Sequence, residues 1–205
     1  MFFLISFLSL LPASFLFFLA ALSPNWLTFT KLYPTGNVIV QRGLFFICYV
    51  ISSNGTHETT RCVSMIHQQE STEPDRWIHG FALGAASMAM ICIILSLIIL
   101  LLSGIYFQRR RRSDQHLWYL LSMCLLLFII LGCSISVWIL LLSETLGLGT
   151  AIDNRMYRWP MWAAILSTMG YLLAFITMFS SFCTLCRRDK TVQTQISRIR
   201  DQLRV

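Results

Sequence analysis

The chain has 205 residues, of which 56% are hydrophobic and only 12% charged, with a formal net charge of +7. Its charged residues fall in gaps between long apolar runs, a distribution that no water-soluble domain of this size produces. This excludes a soluble globular fold and makes the basic excess a membrane feature rather than a nucleic-acid footprint.

Four runs free of Asp, Glu, Lys and Arg cover residues 2–23, 78–107, 117–142 and 160–183. Each reaches the roughly 20 residues that a helix needs to cross the hydrocarbon. The expected architecture is an all-α membrane fold, a bundle of four transmembrane helices forming one tetraspan domain over 1–205. The first run reads either as a cleaved signal peptide or as a retained helix. No Lys or Arg precedes it, it exceeds the usual apolar stretch of a signal peptide, and no small-x-small cleavage site follows, so the retained helix is favoured. Pro12 inside it is tolerated in a membrane and can kink it.

The loop 24–77 is the most informative segment. It holds Trp26, Gly43-Leu44-Phe45, Cys48 and Cys62, with the glycosylation sequon Asn54-Gly55-Thr56 between the cysteines. The sequon is used only if this loop enters the secretory lumen, and that compartment also permits a disulfide. Residues 37–52 suit a strand, 53–56 a turn and 59–66 a second, shorter strand. Cys48 and Cys62 then lie on facing arms of a hairpin, where a bridge is worth about 3 kcal/mol by the loop-entropy model. The polar stretch 67–75, with Pro74, leads to the second run.

The second run is longer than a bilayer is thick, so it tilts or projects. Gly80 and Gly84 form a small-xxx-small pair. The linker 108–116 carries Arg109 to Arg112, suited to anchoring against anionic lipid headgroups. The third run, 117–142, forms an antiparallel hairpin with the second. After the loop 143–159, the fourth run spaces Ala163, Ser167, Gly170, Ala174, Thr177 and Ser181 at steps of four and three. Such a seam lets helix backbones approach, and packing within the bundle is favoured over a partner surface.

Charge sets the expected orientation. The linker 108–116 and the tail 184–205 hold ten basic and three acidic residues, whereas the two long loops hold six of each. By the positive-inside rule the linker, the tail and both termini face the cytosol of a plasma-membrane protein. The sequon places the first loop outside, in independent agreement.

Little in the chain suggests catalysis. Cys183 and Cys186 form a CxxC, which a membrane thiol oxidoreductase would use with a second cysteine pair on the same face. Here the orientation puts Cys48 and Cys62 on the opposite side, which argues that reading down. Beside Arg187 and Arg188, Cys183 and Cys186 suit S-palmitoylation instead. Cys92, Cys124 and Cys133 read as small hydrophobes, and His57 and His67 lack metal-ligand spacing. No ionisable group lies mid-membrane, which disfavours a proton-coupled transporter or a self-contained pore. No cofactor or metal is expected. The ending Leu203-Arg204-Val205 fits a PDZ-type ligand through Val205.

The first-loop pattern of Trp26, Gly43-Leu44-Phe45, Cys48 and Cys62, with Arg76 before the second helix, resembles the claudin superfamily. That group includes peripheral myelin proteins and calcium-channel gamma subunits. Phe45 stands where the family carries Trp. The tract Tyr157-Arg158-Trp159-Pro160-Met161-Trp162 resembles the helix-four entry of the gamma-subunit branch. The resemblance implies a small extracellular sheet built mainly from the first loop together with the second. It implies structural roles for Trp26, Gly43, Leu44 and Phe45, and a Cys48–Cys62 bridge. It also implies action through protein contacts: an auxiliary subunit or organiser of another membrane protein, such as a channel or receptor, or else cell–cell adhesion or a paracellular barrier made with like molecules.

Overall fold

The computed structural model describes residues 2–33, 36–53, 57–64, 76–109, 116–147 and 157–202. Four helices are present among them: α1 (Phe2–Leu22), α2 (Arg76–Arg109), α3 (His116–Gly147) and α4 (Trp159–Gln202). Between α1 and α2 the chain forms an antiparallel meander of β1 (Leu27–Tyr33), β2 (Gly36–Arg42), β3 (Phe46–Ser53) and β4 (His57–Ser64). Each helix contains a stretch long and apolar enough to cross a membrane: Phe3–Leu22, Leu83–Phe107, Leu117–Ser143 and Trp159–Arg187. The chain is a multi-pass membrane protein.

Helix is the form these runs must take, because lipid offers no partner for an open backbone amide or carbonyl. Apolar side chains occupy both the interior and the outer faces, where a soluble protein would carry polar ones. Large apolar groups such as Leu101, Phe128 and Leu166 point outward, while Ala13, Ala20, Ala85, Ala89, Ala164 and Ala174 are buried. In hydrocarbon, Leu gains little by leaving the lipid, so packing holds the bundle: small residues admit close backbones, and Leu10, Phe17, Ile99, Leu127 and Ile130 fill the space between them. The helices form a ring in which α1 packs on α4 and α2, and α3 packs on α2 and α4.

Hydroxyls tie the ring together. Ser6 of α1 donates to the Ala174 carbonyl of α4 at 2.9 Å. Ser134 of α3 and Thr168 of α4 pair at 2.6 Å. Tyr171, fully buried, crosses the interior from α4 to meet Ser96 of α2 at 3.0 Å, joining two helices that are not ring neighbours. Each of these buried hydroxyls has a partner, as a water-free interior favours, whereas those of Ser103 and Ser167 are buried without one.

Three sequence expectations need correction. The single strand over 37–52 is two strands, because Gly43, Leu44 and Phe45 turn the chain and Gly43 N–H donates to the Phe46 carbonyl at 2.8 Å. Leu27–Tyr33 forms a further strand, and the strand expected over 59–66 covers His57–Ser64. Of the second loop, 148–156 lie outside the described residues, and Tyr157 at its end joins the sheet by an isolated bridge to Leu27. The segment after Cys183, read as a tail, continues α4 without a break to Gln202. No Gly or Pro follows Gly170 before that point, so nothing stops the helix.

Candidate functional site

The sheet is seated on one end of the bundle through a single tryptophan. Pro24 prevents α1 from continuing, and the chain folds back so that Trp26 lies fully buried. The indole Nε1–H donates at 2.6 Å to the Ala20 carbonyl, in the last turn of α1, which also accepts from Ser23 N–H at 3.1 Å. The Trp26 N–H donates to the Arg42 carbonyl at 2.8 Å, and the Trp26 carbonyl accepts from Arg158 N–H at 3.2 Å. One residue thereby joins the end of α1, the end of β2 and the entry to α4.

The β2–β3 corner presses against the same point. A Cβ on Gly43 would stand 2.8 Å from both the Pro24 Cα and the Ser23 carbonyl oxygen. Only glycine fits that backbone-to-backbone approach. Leu44 is buried and Phe45 half-buried against the bundle core. Arg158 Nε–H reaches the Thr28 hydroxyl at 3.4 Å, a long and weak contact beside the Leu27–Tyr157 bridge. Arg42, 5% exposed, is enclosed where the sheet meets the bundle, and no residue pattern marks that burial in advance.

Farther out, Cys48 and Cys62 are direct register partners on β3 and β4, with Cα atoms 4.0 Å apart, and form a disulfide. Register runs unbroken from β1 to β4, so the bridge and the Trp26 seat fix one four-stranded body. That body presents apolar side chains outward, Ile39 on β2 and Phe46 on β3. The seat and the staple hold these exposed groups in fixed positions at the end of the bundle.

The remaining candidate residues lie elsewhere. Gly84 faces α3, where an added Cβ would meet only the Leu140 Cδ1 at 3.4 Å. The fourth-run seam meets α1: a Cβ on Gly170 would stand 2.7 Å from the Ala13 Cβ, and Ala174 takes the Ser6 bond. Ser167 is buried and Ala163 half-buried, while Thr177 and Ser181 return their hydroxyls to carbonyls of α4 itself. Arg76 is the first residue of α2 and Gly80 lies one turn on. Asn54, Arg110 to Arg112 and Val205 fall outside the described residues.

Cys183 and Cys186 are half-buried in the last turns of α4 before Arg187. They are separated by about 36 Å of helix from Trp159, at the sheet end. The two cysteine pairs thus occupy opposite ends of the molecule. Among the described residues, no three His, Cys, Asp or Glu side chains gather as metal ligands. An apolar cavity of about 340 Å³ opens between α1 and α2 at the far end, lined by Phe3, Leu4, Phe7, Ser103, Gly104 and Phe107.

Sequence reading missed the interior hydroxyl pairs. The available signal was Ser or Thr inside an apolar run at the same helical phase as buried alanines, as at Thr168 and Ala164. The chain matches no protein-family model and no curated protein.

Proposed function

We propose that this chain is a non-enzymatic, claudin-like tetraspan protein that serves as an auxiliary subunit or organiser of another membrane protein, a channel or receptor. The observation that carries the reading is the stapled sheet locked onto the bundle at Trp26 and Gly43, with Phe46 and Ile39 turned outward. A surface held rigid relative to the membrane loses little entropy when a neighbour docks on it. The apolar outer faces of the helices supply a second contact within the bilayer. In this reading the sheet faces outside at the plasma membrane, Asn54 carries glycan, and the arginine linker and both termini face the cytosol.

Purification of the tagged full chain in mild detergent, followed by mass spectrometry, tests it. A stoichiometric channel or receptor that is lost on Phe46→Glu supports the proposal, and recovery of the chain alone would sink it. A shift in gel mobility on glycosidase treatment, absent in Asn54→Gln, tests the orientation.

The outward Phe46 and Ile39 also favour a second reading, adhesion between copies on apposed cells. Its test is enrichment at cell–cell contacts in cells that lack junctions of their own. An even distribution over the cell surface removes it.

A further inference from the structure

The cavity of about 340 Å³ between α1 and α2 lies within the membrane-spanning stretches of both helices. Phe3 and Phe7 from α1 and Ser103 and Phe107 from α2 form its walls, each pair one helical turn apart. The Tyr106 ring meets the Phe3 ring at 4.7 Å and holds it in place. Leu4 and Phe107 are exposed, so the mouth opens sideways to lipid. Gly104 keeps the wall low, since a Cβ there would meet nothing within 4 Å.

One polar side chain interrupts this apolar lining. Ser103 is 1% exposed, and its hydroxyl has no hydrogen-bond partner. On the same helix Ser87 and Ser96 donate to the carbonyl four residues back, at 2.8 and 2.7 Å. Ser103 makes no such bond to the Ile99 carbonyl. An unpaired hydroxyl in hydrocarbon is costly. A trapped water does not resolve it, because a water needs several polar partners and the lining offers a single polar side chain.

Depth narrows the choice of ligand. Ser103 sits one turn inside the end of the apolar span at Phe107, about 6 Å at 1.5 Å per residue. A group that bonds to it must ride just below the membrane surface, on a body that is otherwise hydrocarbon. A sterol has that form, with one hydroxyl at the end of a flat, rigid set of fused rings. A hydroxyl both donates and accepts, so it pairs with Ser103 in either sense. The rings match the aromatic walls of Phe3 and Phe7, and a rigid body loses less entropy on docking than a flexible acyl chain. The same stretch carries Leu102, Tyr106 and Arg109 at the loose spacing proposed for sterol contact. Many chains match that spacing by chance, so the weight rests on the cavity and its unpaired hydroxyl.

We propose that this cavity is a sterol site, in which the Ser103 hydroxyl pairs with the sterol hydroxyl and the rings lie between α1 and α2. The site stands at the opposite end of the bundle from the sheet and needs no protein partner.

Photolabelling tests it. The full chain, reconstituted in phosphatidylcholine vesicles, is irradiated with a cholesterol analogue that keeps its free hydroxyl and carries a diazirine in a ring. Adducts are expected on peptides covering 3–7 and 103–107, and excess unlabelled cholesterol should remove them. Ser103→Ala should lower this labelling several-fold, yet melt no lower than wild type in sterol-free detergent, because it removes an unpaired hydroxyl. Gly104→Leu, whose side chain fills the cavity, should lower the labelling by a similar factor. Several results would each overturn the proposal: adducts confined to other peptides, full labelling of Ser103→Ala, or a lower melting temperature for that variant. Equal labelling of the same peptides by a phosphatidylcholine with a diazirine on its acyl chain would make the cavity a general lipid cleft and overturn it too.

Discussion

The Gly43→Ala substitution isolates the seat of the sheet. The added methyl would begin 2.8 Å from the Pro24 Cα and 2.8 Å from the Ser23 carbonyl oxygen, with the Pro24 carbonyl carbon at 3.2 Å. All three are backbone atoms, so no side-chain rotation relieves the contact. Ordinary van der Waals separation demands that the β2–β3 corner retreat from the end of α1 by about 0.6 Å. That retreat pulls directly on the Trp26 N–H to Arg42 carbonyl bond, now 2.8 Å, and loosens the packing of Leu44. Overpacking of this kind costs about 1–3 kcal/mol. Thermal unfolding in mild detergent, followed by tryptophan fluorescence, reads it as a drop of several degrees in Tm. Gly104→Ala and Gly132→Ala, where a Cβ meets nothing within 4 Å, are the controls and should stay close to wild type. If Gly43→Ala melts with the controls, the sheet is not pressed onto the bundle as described.

Three further outcomes follow from the packing. Gly170→Ala puts a methyl 2.7 Å from the Ala13 Cβ, so α1 and α4 must part, and a loss of about 1–3 kcal/mol is expected in the same melt. A double-mutant cycle of Ser134→Ala and Thr168→Val should give a coupling of about 0.6 kcal/mol and at most about 1.7, the range for hydrogen bonds between membrane helices. A coupling of zero would mean that the hydroxyls do not pair. Replacing both Cys48 and Cys62 with Ser should cost about 3 kcal/mol by the loop-entropy model, seen as faster proteolysis of the sheet while the helical spans stay protected. Equal protease resistance in the two forms would show that the strand ladder needs no staple.

Much of the fold was legible in the chain because lipid imposes a stringent rule on sequence. A segment that crosses must be apolar over its whole length and helical throughout, so the four spans stand out by composition alone. The hairpin cysteines were readable for a related reason, as turn chemistry between β-rich arms at fixed spacing puts them face to face. The seat was legible only as residue types. Trp26 and Gly43 are distinctive in the sequence, but nothing local says that the indole turns back on Ala20 or that Gly43 meets Pro24. Strand β1 was missed because Leu27–Tyr33 becomes a strand through pairing with β2. The break at Gly43 was missed because its apolar neighbours on both sides suit one long strand equally well.

Composition and periodicity by themselves determined that this chain crosses a membrane four times and that its first loop holds a hairpin, because solvent chemistry acts on each residue where it stands. Tertiary structure alone decided which small residues touch which helix, that Tyr171 reaches across to Ser96, and that a cavity opens between α1 and α2. Those outcomes depend on the relative heights and rotations of four helices. Interhelical packing sets these, and an apolar sequence in lipid carries almost no trace of it, since every outward face looks alike to the hydrocarbon.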